Sequence, residues 1–293
     1  MTFIGELKEQ FKRGTNLLKL IYINVAVFLV MAVLQIIAVL SNNPNISSSV
    51  VDFLAVPASF SSLILKPWTV ITYMFLHESF WHILFNMLWL YWFGRIFSDY
   101  LDQKKLVSVY ILGGLSGALL YILSFNIFPA FSETLHVSIA LGASASIMAI
   151  VVATAAYVPD YTVHLFLLGR VKIKYIAIGI FLLTSVFDFS TNTGGKIAHI
   201  GGAIFGFVYA LRYKQGKDTG RWINRLLDTI ATWFKPREKM EVSYKKPMTD
   251  IEYNQIKADH QEKIDKILEK IAKGGYDSLT KEEKEILFKE SQK

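Results

Sequence analysis

Six stretches of the chain are almost free of charged residues, and each approaches the length of a membrane span. A spanning helix needs about 20 mostly apolar residues. The candidate stretches are residues 18–40, 80–97, 106–125, 137–158, 173–187 and 197–211. The fifth and sixth need flanking residues to cross the hydrocarbon core. The pattern predicts an all-α fold, a polytopic membrane protein with six transmembrane helices.

Lysine and arginine are concentrated in every second connecting segment. Because cytoplasmic loops carry the excess of basic residues, this distribution predicts that both termini are cytoplasmic. An even number of spans agrees with this, because both termini then lie on the same side of the membrane. The sequence therefore predicts a multi-pass protein of the plasma (inner) membrane. The basic segments contain Lys8, Lys12, Arg13 and Lys19, then Arg95, Lys104 and Lys105, then Arg170, Lys172 and Lys174, and finally Arg212, Lys214 and Lys217, whereas the opposite segments contain Lys66 and Lys196.

The chain changes character after the sixth stretch. Trp222, Leu226, Ile230 and Trp233 recur at helical spacing, which predicts an amphipathic helix at the membrane surface. A core helix of a small soluble domain is the alternative. A linker follows, and then a helical hairpin in which Thr280 and Glu283 form a capping box. We therefore predict a cytoplasmic segment (1–17), a six-span core (18–213), an interfacial helix with linker (214–248) and a small helical domain (249–293).

Composition narrows the chemistry. The chain contains no cysteine, which excludes disulfides, thiolate metal sites and a cysteine nucleophile. It is 53% hydrophobic, and its formal net charge is +7. That charge fits basic cytoplasmic loops better than nucleic-acid binding. We expect no nucleic-acid partner, no cofactor and no metal.

Polar residues at the starts of three spans are the candidate functional groups. Such residues are costly in a membrane and usually functional. His82 and Asn86 lie one helical turn apart at the start of the second span, Ser144 at the start of the fourth, and His199 near the start of the sixth. Because these three spans run in the same direction, we expect the four side chains to lie at a similar depth.

Small residues favour close packing of the fourth and sixth spans. Alanines or glycines recur every fourth residue in both, and such stripes allow helix backbones to approach closely. A serine hydroxyl can then reach a histidine on the neighbouring helix. The stripes consist of Ala145, Ala149 and Ala153 in one span, and of Ala198, Gly202, Gly206 and Ala210 in the other.

Three other hydrolytic chemistries do not fit the spacing. His77 and His82 are five residues apart, whereas a zinc H-E-x-x-H motif requires four. Asp160 and Asp188 lie at opposite ends of spans, which does not suit an aspartyl protease. In GASAS (142–146) the fifth residue is Ser146 rather than the glycine of a nucleophile elbow, and we predict no strand before it.

The remaining candidate for catalysis is a serine–histidine pair. His199 would accept the proton of Ser144 and return it to the leaving amine. Packing would have to orient His199, since the span contains no aspartate. The unpaired N–H groups at the helix start, with His82 and Asn86, would stabilise the oxyanion. Gly142 allows substrate to approach Ser144 closely. Ser146 points away and is expected to bond to the carbonyl four residues earlier, or to a neighbouring helix.

The motifs resemble those of the rhomboid intramembrane serine proteases. They are Trp68 followed by TYMFLHESFWHILFN (72–86), GASAS, and AHIGGAIFG (198–206), in the order of that family. The resemblance implies a six-helix rhomboid bundle with Ser144 as nucleophile, His199 as base, and His82 and Asn86 at the oxyanion site. It implies cleavage of transmembrane-helix substrates at small residues near the outer face, and His77 matches a structural histidine. The tail resembles a small domain appended to rhomboids of Bacteroidetes-type bacteria.

Three positions depart from the family pattern. Thr69 replaces an arginine that braces the first loop, Ala145 replaces a glycine after the serine, and Met148 replaces an aromatic residue that stacks on the histidine. Methionine can still pack on an imidazole. A catalytically silent rhomboid-like protein that binds membrane clients is the alternative function, and a transporter is a more distant one.

Overall fold

The apolar stretches form long helices in the computed structural model, which describes residues 14–165, 169–187, 189–234 and 248–290. The chain divides into two units, residues 1–235 and 236–293. The first unit contains a bundle of six helices that correspond to the six apolar stretches. They are α1 (Asn16–Leu40), α5 (Phe80–Leu101), α6 (Gln103–Ile127), α7 (Ser144–Tyr157), α8 (Ile173–Phe181, continued by a π-helical turn, Leu182–Val186) and α9 (Thr193–Lys214).

By length and hydropathy, α1, α6 and α9 can each cross a membrane, and α7 and α8 are shorter apolar helices. The outward surface of the bundle is rich in exposed large apolar side chains, as a lipid-facing surface requires. The predicted all-α bundle of a multi-pass membrane protein is confirmed.

The loop after α1 is built from three short helices and one strand. They are α2 (Asn45–Leu54), β1 (Val56–Pro57), α3 (Phe60–Leu65) and α4 (Thr69–Thr72). The indole Nε1 of Trp68 donates to the Phe53 carbonyl (2.8 Å), and the Thr72 hydroxyl donates to the Leu54 carbonyl (2.6 Å). Lys66 and Asp52 form an ion pair. These contacts join the end of α2 to the residues around α4. Thr69, where the family pattern has an arginine, lies in this region.

The fourth helix begins later than the sequence predicted. It starts at Ser144 rather than at Val137, because the preceding residues are extended. Strand β2 (Ile139–Ala140) pairs antiparallel with β1, with Val56 opposite Ala140. The expectation that no strand precedes Ser144 was therefore wrong, although β2 has two residues and belongs to no larger sheet in the described chain.

A β-hairpin connects the fourth and fifth helices. It was not predicted from the sequence. Strands β3 (Thr162–Leu165) and β4 (Gly169–Lys172) pair antiparallel. Asp160 accepts hydrogen bonds from Lys172 (2.9 Å) and Lys174 (3.0 Å) at its base. The two ammonium groups lower the pKa of the Asp160 carboxyl, with the Lys172 hydrogen bond as the largest cause.

Glycine and alanine set the spacing of α6, α7 and α9. A Cβ added to Gly202 would lie 2.9 Å from the Ala145 carbonyl carbon, and one added to Gly206 would lie 2.9 Å from the Ala149 carbonyl carbon. On the other side, a Cβ on Gly117 would lie 2.6 Å from that of Ala145. The predicted small-residue contact between the fourth and sixth helices is confirmed, and α6 takes part in it.

A buried asparagine in α1 was missed by the sequence reasoning. Asn24 has no exposed surface. Its Nδ2 donates to the Leu20 carbonyl (2.8 Å) and lies 3.2 Å from the Tyr110 hydroxyl. That hydroxyl donates to the Met74 carbonyl (2.9 Å). The three residues thereby link α1, α6 and the loop that leads to α5.

The last helix of the first unit is α10 (Arg221–Phe234), and the second unit is a helical hairpin of α11 (Asp250–Gly274) and α12 (Lys281–Glu290). The predicted capping box is present. The Thr280 N–H donates to Glu283 Oε2 (2.7 Å), and the Glu283 N–H donates to the Thr280 hydroxyl (3.3 Å). Lys270 also pairs with Glu283 (2.8 Å) and joins the two helices.

Candidate active site

A cavity of about 440 Å³ opens between α5, α7, the end of α8 and the start of α9. The four residues predicted to form the site all line it, although they come from three separate helices. Trp81, Phe85, Trp89 and Ile147 supply much of its apolar wall. The functional candidates in the lining are His82, Asn86, Ser144 and His199, and its other polar residues are Glu78, Thr184 and Asn192.

Ser144 is the first residue of α7, and its position follows from the residues before it. Gly142 has a φ of +127°, which favours glycine. Its N–H donates to the Tyr73 carbonyl (2.9 Å). A Cβ at Gly142 would lie 3.1 Å from His82 Nε2 and 3.5 Å from Ser144 Oγ. Both backbone conformation and space therefore require glycine where the serine and the histidine converge.

The backbone around Ser144 supplies unpaired donors. The first N–H groups of any helix have no partner within it and carry the positive end of its dipole. Ala143, which precedes the helix, provides no side-chain cap. The start of α7 therefore presents its N–H groups beside the Ser144 hydroxyl, where an anion can be bound.

Ser146 differs from Ser144 in its surroundings. Ser144 is half-buried at the cavity, whereas Ser146 is fully buried. Its hydroxyl has no hydrogen-bond partner among the described residues. The expected bond to the carbonyl four residues earlier is absent, because that residue, Gly142, lies before the helix begins. The two serines therefore have different environments, and Ser144 is the one that borders the cavity.

His199 is oriented by the main chain of α8. Its Nδ1 lies 3.1 Å from the Thr184 carbonyl. Since a carbonyl can only accept, Nδ1 carries the hydrogen and Nε2 keeps a free lone pair. Thr184 lies in the π-helical turn at the end of its helix, where carbonyl groups lack partners within the helix. The expectation that packing alone orients His199 was wrong. Thr184 was missed because a main-chain acceptor cannot be recognised from the pattern of side chains.

His82 and Asn86 occupy one face of α5. The His82 N–H donates to the hydroxyl of Ser79, which caps the helix (3.3 Å). Asn86 is buried, and its Nδ2 has no partner among the described residues. Buried donors are normally paired. An unpaired amide that lines a cavity is therefore available to a ligand.

His77 lies in the turn before α5, outside the cavity lining. Its ring packs edge-on against His82, with 5.1 Å between centroids. The pKa of His77 is lowered to about 4, with burial as the largest cause and the nearby His82 acting in the same direction. A neutral His77 supports the position of the His82 ring.

The other predicted residues lie in three places. Met148 lines the cavity with His199, whereas Gly202 and Gly206 lie in the contact between α7 and α9. Trp68 lies in the first loop and does not line the cavity. Within the described residues, no three histidine or acidic side chains are grouped so that they could hold a metal ion.

Comparisons with known proteins give two family matches and several relatives. The profile of the Rhomboid domain matches residues 65–215, and that of DUF6576, a family of unknown function, matches residues 249–293. The chain is 27% identical to RHOMBOID-like protein 12, mitochondrial, of Arabidopsis thaliana over 161 residues, which cover 51% of this chain and 47% of that protein.

Two further relatives are similar at the same level. Rhomboid protein 1, mitochondrial, of Saccharomyces cerevisiae is 25% identical over 175 residues, covering 57% of this chain and 47% of the relative. Rhomboid protease AarA of Providencia stuartii is 27% identical over 180 residues, covering 56% and 62%. The chain thus matches about half of the length of these curated relatives.

Proposed function

The chain belongs to the rhomboid family, and we propose that it is an intramembrane serine endopeptidase. The proposal rests on one observation above all: Ser144, His199, His82 and Asn86 come from three helices and line one cavity. The similarity to Rhomboid protease AarA supports the same activity.

In the proposed reaction, Ser144 Oγ attacks the carbonyl carbon of a peptide bond, and His199 Nε2 accepts its proton. The Thr184 carbonyl holds the Nδ1 hydrogen and so keeps the accepting lone pair on Nε2. The imidazolium then gives the proton to the leaving amine, and the acyl group remains on Ser144. A water molecule, deprotonated by the same imidazole, releases the acid product and restores the hydroxyl.

The negative oxygen of the tetrahedral intermediate would be bound by three kinds of donor. These are the free N–H groups at the start of α7, the Asn86 amide and the His82 ring. These donors lie at the cavity or at its edge, as a preorganised oxyanion site requires. Loss of one such donor typically costs about 3–4 kcal/mol of transition-state stabilisation.

We further propose that both termini are cytoplasmic and that the cavity faces the outer side of the plasma membrane. The basic connecting segments support this orientation. The substrates would be single-span or polytopic membrane proteins, cut at small residues near the outer end of a transmembrane helix. The position of Ser144 in the first turn of its helix supports a cut near the membrane surface.

Cleavage of a model transmembrane substrate by the purified full chain in detergent tests the proposal. Ser144→Ala and His199→Ala should each lower the rate by at least about 1,000-fold. Ser146→Ala and His164→Ala are the matched controls and should retain activity. A Ser144→Ala variant that still cuts would refute the mechanism. A wild-type protein that binds the substrate without cutting it would instead favour the client-binding function.

A further inference from the structure

A single carboxylate stands at the edge of the candidate active site. Glu78 precedes the N-cap of α5 and is exposed, and its side chain lines the cavity together with Trp81 and His82. No lysine or arginine is among the residues that line it. Within the described chain, the Glu78 carboxylate forms no hydrogen bond or ion pair.

The charges near Glu78 do not compensate it. Glu78 and Leu141 also line a second cavity of about 680 Å³, between α1, α2 and the turn before α5. The other acid of that cavity, Asp52, is paired with Lys66. Lys196, in the first turn of α9, is buried, and its Nζ donates to the Thr191 hydroxyl. Among the described residues, Glu78 is thus a negative charge without a lysine or arginine partner where the two cavities meet.

Glu78 is the only acidic residue among the described residues that line this largely apolar cavity. The cap of α5 is provided by Ser79, so the helix does not need Glu78 for that purpose. An acid near a helix N-terminus does stabilise the dipole slightly. That role would not depend on the substrate, whereas a binding role would.

We propose that Glu78 forms a subsite for a lysine or arginine side chain of the substrate, close to the scissile bond. This inference rests on the proposed protease function and adds a substrate class to it. A cationic side chain that reaches the cavity edge would pair with the exposed carboxylate of Glu78. An acidic side chain at the same place would be repelled.

A charge series of substrates tests this subsite. Model transmembrane substrates carry lysine, glutamine or glutamate at each successive position around the cut, and the full chain is assayed for kcat/KM. At one position or more, the lysine substrate should be cleaved about 5- to 10-fold faster than the glutamate substrate, and the difference should shrink at high salt. Glu78→Gln should abolish the preference, and Glu78→Lys should invert it.

Glu133→Gln, in an exposed loop outside the cavity lining, is the control and should keep the wild-type preference. Cleavage without a charge preference, or a preference that survives Glu78→Gln, would overturn the subsite and leave the protease function standing. A failure to cleave any substrate would overturn the protease function and this inference with it.

A second inference concerns the surface of α10 and rests on separate observations. This helix contacts α6, and its Ile223 is buried. A Cβ on the preceding Gly220 would lie 2.5 Å from Ser108 Oγ of α6. Asp228 pairs with Lys104 in the first turn of α6 (3.2 Å). One side of α10 is therefore attached to the bundle at the end where α6 begins.

The free side of α10 is apolar and bordered by basic residues. Trp222, Leu226 and Trp233 are 56%, 49% and 77% exposed. Exposed arginines lie beside them on the helix, and further exposed cations precede it. These cations are Arg212, Lys214, Lys217, Arg221 and Arg225.

From this pattern we infer that α10 binds an anionic phospholipid surface, with its tryptophans among the headgroups. Apolar side chains bordered by arginine or lysine suit such a surface in both hydrophobic and electrostatic terms. Its attachment to the start of α6 places it at one face of the membrane.

Spin labels on the cysteine-free full chain test this binding, since every introduced cysteine is unique. Vesicles of phosphatidylcholine with phosphatidylglycerol are compared with vesicles of phosphatidylcholine alone. Labels at positions 222, 226 and 233 should be accessible to oxygen but not to a water-soluble nickel reagent, and labels at 221, 225 and 232, on another face of the helix, should show the reverse. The contrast should weaken without phosphatidylglycerol, and Arg221→Gln with Arg225→Gln should weaken it equally.

Water exposure at all six positions would overturn lipid binding. So would spin–spin broadening between copies, which would indicate that a second chain covers the face. A profile that changes when residues 249–293 are deleted would assign the face to the C-terminal unit instead.

Discussion

His199 and Thr184 are joined by a hydrogen bond from a side chain to a main-chain carbonyl, over a distance of 3.1 Å. The carbonyl occupies the place that an aspartate takes in a three-residue catalytic triad. It fixes which ring nitrogen carries the hydrogen, because it cannot donate. Since the carbonyl belongs to α8 and the imidazole to α9, the alignment of the proposed base depends on the packing of these two helices.

This bond predicts different results for a change at the His199 ring and for a change at the Thr184 side chain. Incorporation of Nδ1-methylhistidine at position 199 removes the donor but keeps the Nε2 lone pair. We expect kcat to fall about 10- to 100-fold, the range observed when an orienting partner is lost. Thr184→Ala should change kcat by less than about 3-fold, since the carbonyl remains. The same amino acid at exposed position 164 controls for its incorporation, and equal activity at position 199 would contradict the orienting role.

The contact between α7 and α9 predicts a large effect from one methyl group. In Gly206→Ala the new Cβ would lie 2.9 Å from the Ala149 Cα. Overpacking of this kind costs about 1–3 kcal/mol, so the thermal unfolding midpoint in detergent should fall.

Gly179→Ala is the matched control for this substitution. Gly179 lies in α8, and no heavy atom is within 4 Å of its added Cβ. Because alanine is favoured over glycine in a helix by up to about 1 kcal/mol, this variant should be as stable as the wild type or more so. Equal midpoints for the two variants would show that the helices can separate freely.

The pKa of His77 predicts a pH-dependent stability. The folded protein lowers it from 6.5 to about 4, so the unfolded chain binds more protons between these values. The free energy of unfolding should therefore decrease as the pH falls from about 6.5 towards 4, by about 2 kcal/mol at pH 5. His77→Gln should remove this part of the pH dependence in detergent unfolding titrations, whereas His164→Gln should leave it. Parallel curves for wild type and His77→Gln would contradict the burial effect.

Asn24 and Tyr110 predict a measurable coupling between α1 and α6. Tyr110→Phe leaves the Met74 carbonyl without its donor, and we expect it to cost about 1–2 kcal/mol. A double-mutant cycle with Asn24→Leu should give an interaction energy of about 0.6 kcal/mol, which is typical of hydrogen bonds between membrane helices. Additive effects would show that the two side chains act independently, and Tyr175→Phe, at an exposed position, should be neutral.

The sequence predicted what depends on side-chain periodicity. Long apolar stretches became helices, and the small-residue stripes brought α7 against α9. The predicted site residues line one cavity because each lies near the N-terminal end of its helix. These features follow from length and spacing, which local residues determine.

Other features depend on partners that are distant in the sequence. Strand β2 is only two residues long and exists because β1 pairs with it, so no alternation could reveal it. Every residue has a main-chain carbonyl with the same chemistry. The carbonyl of Thr184 becomes distinctive only because His199 lies beside it. In the sequence, Asn24 is a lone polar residue in an apolar stretch, and only the fold brings Tyr110 next to it.

The contacts of Gly202 and Gly206 with the backbone of α7 also limit how this protein can vary. Between glycine and alanine there is no side chain of intermediate size. The separation of the two helices can therefore not be adjusted in small steps at these positions. Adaptation of the cavity to a new substrate must instead occur at its walls, where residues such as Met148, Trp81 and Glu78 can change without altering the distance between the two backbones.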